Sequence, residues 1–264
     1  MPRATYYCHV KAFAKQDKYA EIRGTIRDIF HENRGRYGYR RITLELRNRG
    51  KFVNHKTVRR LMIEEELVCR VRVKKYRSYK GMVGIFAPNL LERRFDTTAP
   101  NQKWVTDVTE FRVFGKKLYL STILDLHSQY VVSYTLSEKP TMAMVTTMLE
   151  QAAAQLPKRA NLVLHSDQGW HYRHKTYQNL LQEHGIRQSM SRKGNCLDNA
   201  VMENFFGHLK SELMYLQDFE SSEHFRAELA AYIVYYNDHR IKAKLKGLSP
   251  ALHRQQALKQ PTQP

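Results

Sequence analysis

Apolar positions fall at helical intervals through the first quarter of the chain. In DKYAEIRGTIRDIFHEN (residues 17–33), Ile22, Ile26, Ile29 and Phe30 form one stripe with charged side chains opposite, which predicts an amphipathic helix. The turn residues of RGRYGYR interrupt it, and a short helix follows over about 40–48, closed by Gly50. Asn54 is suited to cap the next helix, about 55–66, whose Val58, Leu61 and Met62 face inward. Two short helices joined by a tight glycine-containing turn predict a helix-turn-helix at about 40–66, inside a small all-α region over 1–80.

The period then changes to two. WVTDVTEFRV (104–113), KLYLSTILDL (117–126) and QYVVSYTLS (129–137) predict three successive strands with short turns between them. A helix from Pro140 to about Leu156, a strand at NLVLHSD (161–167), a helix over about 174–184 and a short strand at IRQSM (186–190) follow. The loop of SRKGNCLDNAVMENFFGHLKSEL (191–213) runs into a helix, and a last one covers about 221–236 with Phe225, Leu229, Ile233 and Tyr236 in register. Antiparallel strands followed by alternating helices and strands predict a mixed α/β sheet covered on its faces. The expected organisation is a connector over 81–102 bracketed by Pro88 and Pro100, and a core over 103–215. A C-terminal helix and basic segment over 216–255 then packs on that core, and the tail over 256–264 is disordered.

Charge adds a division of labour. Residues 1–95 hold 24 Lys and Arg against 9 Asp and Glu, whereas the remainder holds 20 against 16. A basic first third on a near-balanced remainder suits a polyanion held beside a region with another task. The outward Lys56, Arg59 and Arg60 of the 55–66 helix suit phosphates or base edges, although a plain three-helix bundle with a solvated basic face has the same pattern. RVRVKKYRSYK (70–80) interleaves cations with two tyrosines, as a segment tracking a phosphate backbone would. No run of about 18 apolar residues exists, so no membrane partner is expected. MPRATYYCHVKAFAKQ lacks the apolar centre of a signal peptide, and the three cysteines show no CxxC spacing, so a cytoplasmic location with reduced thiols is expected. Cys196 reads as a packing residue.

The candidate chemistry is acidic. Asp107 interrupts a strand, where a carboxylate is costly without a strong partner. Asp167 ends the fourth strand, the usual location of ligand-binding residues in an open α/β sheet, and Glu203 lies early in the helix that follows. Three carboxylates without a paired histidine or cysteine make a hard-oxygen site suited to Mg²⁺ or Mn²⁺, with two ions expected once DNA is bound. Asp125 and Asp198 are rivals for these positions, Asp198 also being a natural helix N-cap.

The stretches WVTDVTEF, LHSDQGW, SRKGNCLDNAVMENFFGHLKSE and YYNDHRIKAKLKGLSP, with ENRGRYGYRRI upstream, carry a resemblance over nearly the whole chain. It resembles the DDE transposases of bacterial insertion sequences, specifically the second-frame product of the IS3 family, IS150 group. Fifty-nine residues separate Asp107 from Asp167 and 35 separate Asp167 from Glu203, and Lys210 stands seven positions past the glutamate, as in that family. The resemblance implies an RNase H-like, retroviral-integrase-like core, with Asp107, Asp167 and Glu203 as catalytic metal ligands. It implies Lys210, Arg40, Arg41 and Arg240 as DNA contacts beside Lys56, Arg59 and Arg60, bracing of the core being the alternative for Arg240, and a bacterial, nucleoid-associated location. Asn199, His165 and Trp170 are expected to shape the pocket, a helix-start role for Asn199 and a core role for His165 and Trp170 being the alternatives. Expected partners are insertion-sequence ends and target DNA, further copies of the chain in a homodimer or higher oligomer, and fusion with a first-frame product. PRATYYCHVKAF looks like the end of another recognition helix. The expected activity is metal-dependent cleavage at the element's ends and transfer of the 3′-hydroxyl into target DNA. A non-catalytic end-binding regulator would need residues 17–80 alone, and a recombinase with a tyrosine nucleophile would need no metal.

Overall fold

The computed structural model describes Arg3 and residues 17–71, 87–92, 94–157, 160–192 and 199–259, and the chain divides into two compact units, Met1–Val71 and Arg72–Pro264. The basic run beyond Val71, the PRATYYCHVKAF segment apart from Arg3, Cys196, Asp198 and residues 260–264 lie outside the described residues.

The first unit holds helices α1 (Ala20–Glu32), α2 (Tyr39–Asn48) and α3 (His55–Glu64). Ile26, Ile29 and Phe30 of α1 are buried with Ile42 and Leu46 of α2 and Val58, Leu61 and Met62 of α3. Each such side chain contributes about 1.5–3 kcal/mol by leaving water. Gly50, with φ of +77°, closes α2 in a left-handed conformation that a side chain would strain. Asn54 caps α3, its side-chain oxygen accepting the Lys56 N–H at 2.8 Å.

The second unit is a five-stranded mixed sheet in the order β3-β2-β1-β4-β5. Strands β1 (Lys103–Val113), β2 (Lys116–Asp125) and β3 (Val131–Ser137) are antiparallel neighbours. Strands β4 (Val163–Ser166) and β5 (Arg187–Met190) extend the other side of β1 in parallel. Alternation sends successive side chains to opposite faces. On one face Val105, Phe111, Leu120, Leu124 and Val163 pack under α7 (Ala200–Leu209) and α8 (Ser222–Asp238). On the other, Trp104, Ile123 and Leu164 pack under α4 (Met142–Ala153) and α6 (Lys175–Glu183).

Three features depart from the expected elements. A one-turn helix, α5 (Trp170–Arg173), follows β4, and α7 runs into a π turn over Lys210–Met214. The tail expected to be disordered from 256 is instead helical as far as Lys259, within α9 (Pro250–Lys259). Its sequence lacks an apolar stripe, but Arg254 fastens it: one guanidinium nitrogen lies 3.4 Å from Asp125 and another donates to Asn101 Oδ1 at 2.7 Å.

Candidate active site

Strand register brings the two aspartates together. Thr106 of β1 stands opposite Ser166 of β4, so the next residues, Asp107 and Asp167, are neighbours across the parallel pair. Both share the alternation of Val105 and Val163, hence the face covered by α7, the helix that carries Glu203. Asn199, four residues before Glu203, lies on the same side of that helix and donates its amide to Asp107 Oδ2 at 3.0 Å. The other Asp107 oxygen accepts the Val108 N–H at 2.7 Å.

Asp167 is held by the turn that follows it, where its Oδ1 accepts the Gly169 N–H at 2.9 Å. A Cβ on Gly169 would lie 3.0 Å from that oxygen and 3.3 Å from the Tyr172 ring, so a side chain there would displace the carboxylate or the tyrosine.

The acidic groups act on one another. Burial, then the charges of Asp167 and Glu203, push Asp107 well above the usual carboxylate range, against the Val108 N–H and the Asn199 amide. Burial also raises Asp167, opposed by the Gly169 N–H and by the charges of His171 and Arg173. Lys210 begins the π turn, with Nζ 5.6 Å from the centre of the Phe111 ring. Burial lowers its ammonium, while Glu110 and Asp107 favour the charged form. Among the described residues, no three His, Cys, Asp or Glu side chains are gathered closely enough to chelate one ion. Asp107 and Asp167 turn instead to backbone and amide donors.

The remaining candidates separate by burial. His165 is buried, with Nδ1 2.8 Å from Ser189 Oγ on the neighbouring strand, a role in the core. Trp170 is 48% exposed and stacks on His171 with ring centres 3.8 Å apart, beside Asp167 in sequence but open to solvent. Asp125 is fully buried and accepts from Asn101, Trp104 and Ser128, which assigns it to the scaffold. Arg240 corrects the expectation of a DNA contact. It is 1% exposed, and its guanidinium forks onto Glu212 at 2.8 and 2.6 Å, because the end of α8 turns it inward. Glu212 was missed by sequence reasoning; the available signal was an acid on the buried stripe between Leu209 and Leu213.

In the first unit, Lys56 and Arg59 are exposed on α3, as is Arg40 at the start of α2. Arg60 is exposed but paired with Glu64 at 2.6 Å. Arg41 is half-buried over the Tyr37 ring at 5.5 Å, so it faces its own unit more than the solvent. Tyr39, His55, Lys56, Arg59 and Arg60 line one depression, in which the Tyr39 and His55 rings are stacked. Among the described residues, no helix is long and apolar enough to cross a membrane.

Comparison with known proteins accounts for both units. Residues 16–75 match an HTH-like domain, and 97–196 and 203–258 match models of an integrase core domain. The chain is 57% identical over 256 residues to the putative transposase InsK for insertion sequence element IS150 of Escherichia coli K12, spanning 97% of this chain and 90% of that protein. It is 36% identical over 226 residues to the transposase InsF for insertion sequence IS3A of the same organism, spanning 84% and 77% respectively. Among solved structures, a chain of the simian T-cell lymphotropic virus intasome, determined with PP2A regulatory subunit B56 gamma, overlays with a TM-score of 0.51 at 18% identity. That match covers 86% of this chain and 73% of the viral chain, and it speaks for the fold. With an HTH-like domain ahead of an RNase H-like integrase core, and with relatives of this identity along nearly its whole length, the chain belongs to the IS150-like transposases of bacterial insertion sequences.

Proposed function

We propose that this transposase cuts at the ends of its own insertion sequence and transfers the freed 3′-hydroxyl into target DNA by transesterification, with Mg²⁺ or Mn²⁺ in the acidic crevice. One observation carries the reading: the register of β1 and β4 sets Asp107 beside Asp167 on the face covered by α7, the helix of Glu203, and Asn199 at the start of that helix donates to Asp107 at 3.0 Å. The donor set fits hard divalent cations. It consists of carboxylate oxygens, and beside them the Asn199 Oδ1 is buried with no hydrogen-bond partner among the described residues, making the crevice rich in acceptors. Asp107, Asp167 and Glu203 would hold the ions. When bound, the ions neutralise charge at the scissile phosphate and orient the attacking and leaving oxygens.

The protein's own groups do the rest. The Asn199 amide fixes the direction of Asp107, and the Gly169 N–H that of Asp167. Lys210, seven residues past Glu203 and so on the same side of the helical run where α7 passes into the π turn, offers its ammonium to a phosphate of the element's end. Lys56 and Arg59, with Arg40, Arg60 and the stacked Tyr39 and His55 beside them, provide the basic surface through which the first unit grips the duplex. Joining two ends to one target calls for at least two copies of the chain on the DNA.

The test is cleavage and joining of labelled element-end DNA with Mg²⁺ or Mn²⁺, comparing the wild type with Asp107→Asn, Asp167→Asn and Glu203→Gln. Each substitution is expected to lower joining by more than about 100-fold, since even losing a residue that supports a ligand costs about 10–100-fold. End binding should persist. Joining that survives in any one variant removes that residue from the site. A wild type that binds ends without cutting them identifies a regulator instead.

A further inference from the structure

Glu212 has no part in the chemistry above, yet it is one of the most costly side chains in the core. It is 1% exposed, on the buried stripe of Phe205, Leu209 and Leu213. Arg240 Nε donates to Oε2 at 2.8 Å and Nη2 to Oε1 at 2.6 Å, while the Tyr232 hydroxyl donates to Oε2 at 3.1 Å. Tyr232 lies within α8 and Arg240 just beyond its end, so all three bonds tie the Glu212 segment to one helix and its end. Stability alone does not explain such a pair, because well-packed apolar residues of similar volume often hold a core as firmly or better. What an ion pair adds is direction, since a guanidinium fork accepts a carboxylate in one orientation.

The segment so oriented is the one that carries Lys210. There α7 leaves α-helical geometry, and the Lys210 carbonyl accepts the Tyr215 N–H at 3.1 Å in a π turn. Ser211 Oγ donates to the His208 carbonyl at 3.1 Å within the same stretch. π turns are rare, recur at functional sites, and lie here at a helix end, where turns fray unless tertiary contacts hold them. Lys210 is anchored on one side by Phe111 of β1, and two residues later Glu212 is anchored on the other by α8.

We infer that Glu212, Arg240 and Tyr232 form a positioning clamp that locks the π turn and so holds the Lys210 ammonium beside the acidic crevice, where a phosphate of the element's end is received. The clamp rests on the proposed DNA contact of Lys210.

The test measures end-DNA binding by the full chain as a function of salt, alongside thermal unfolding. Lys210→Gln is expected to reduce the log–log salt slope by about 0.9, the loss of one phosphate contact. Glu212→Gln and Arg240→Lys are expected to reduce it by the same amount, and either combined with Lys210→Gln to reduce it no further. The double variant Glu212→Met with Arg240→Met keeps the volume without the directional bond. It is expected to unfold no earlier than the wild type yet to show the reduced slope, and it decides the question if the single variants fail to fold. A wild-type slope in that double variant, or additivity with Lys210→Gln, overturns the clamp while leaving the Lys210 contact intact. An unchanged slope in Lys210→Gln itself overturns both, and the fault then lies with the Lys210 reading.

Discussion

Replacing Asp125 separates scaffold from chemistry on the same sheet. Its carboxylate is fully buried at the end of β2, opposite Trp104 of β1. Oδ1 accepts the Ser128 N–H at 2.9 Å and the Ser128 hydroxyl at 2.8 Å. Oδ2 accepts the Asn101 N–H at 2.8 Å and Trp104 Nε1 at 3.2 Å, with Arg254 Nη1 at 3.4 Å. Every group facing this carboxylate is a donor or a cation, so the amide of Asp125→Asn sets its own NH₂ against another donor on one side or the other. A buried donor left unmatched costs about 1–3 kcal/mol. Removing one charge of a buried pair costs about 3–5 kcal/mol, and because the terms share the same oxygens the total stays near that range. For a unit of this size each kcal/mol lowers Tm by about 2–4 °C, which gives a fall of about 6–20 °C. Domains are stable by about 5–15 kcal/mol, so the variant should remain folded at 25 °C and retain at least half of the wild-type joining activity there. Calorimetric unfolding and joining of labelled ends check the two halves. A native Tm with lost joining would show that Asp125 belongs to the reaction and that its network is incidental.

Asp107→Asn should behave in the opposite way, unfolding at a higher temperature than the wild type in EDTA while losing joining. Because its folded value is raised, protonated Asp107 favours the native state fully below the ordinary 3.8, and this advantage fades as pH rises through the raised value. The Tm difference between variant and wild type should therefore widen upward from about pH 4 and then level off; a constant difference would mean that burial and the neighbouring carboxylates do not raise Asp107. In the first unit, Lys56→Ala and Arg59→Ala should each reduce the salt slope of end binding by about 0.9 with little change in Tm, and an unchanged slope would move the contact surface away from α3.

Much of this molecule is written in short-range patterns. The stripes of α1 and α3, the Asn54 cap and the alternation of β1 to β3 are local consequences of side-chain spacing, and the structure places these elements within a few residues of their expected bounds. The spacing of Asp107, Asp167 and Glu203 is likewise a linear feature, which is why the family could be read from the chain. Where local pattern was weak, it misled. The sequence after Pro250 is rich in helix formers but lacks an apolar stripe to say what it packs on, and it is the distant Asp125 that holds Arg254 there.

Arg240 marks the limit most clearly. In sequence it is a cation within a basic segment, equally suited to a phosphate or to a carboxylate. The partner that claims it, Glu212, lies 28 positions away on another helix, and the return of α8 across the sheet brings them together. The same holds for the Asn199 amide on Asp107 and for the packing of Lys210 on Phe111. Spacing along the chain determines which helices and strands form and which side of each is apolar. Only the crossing of those elements decides which charges meet, because a charge is stabilised by whatever surrounds it in space.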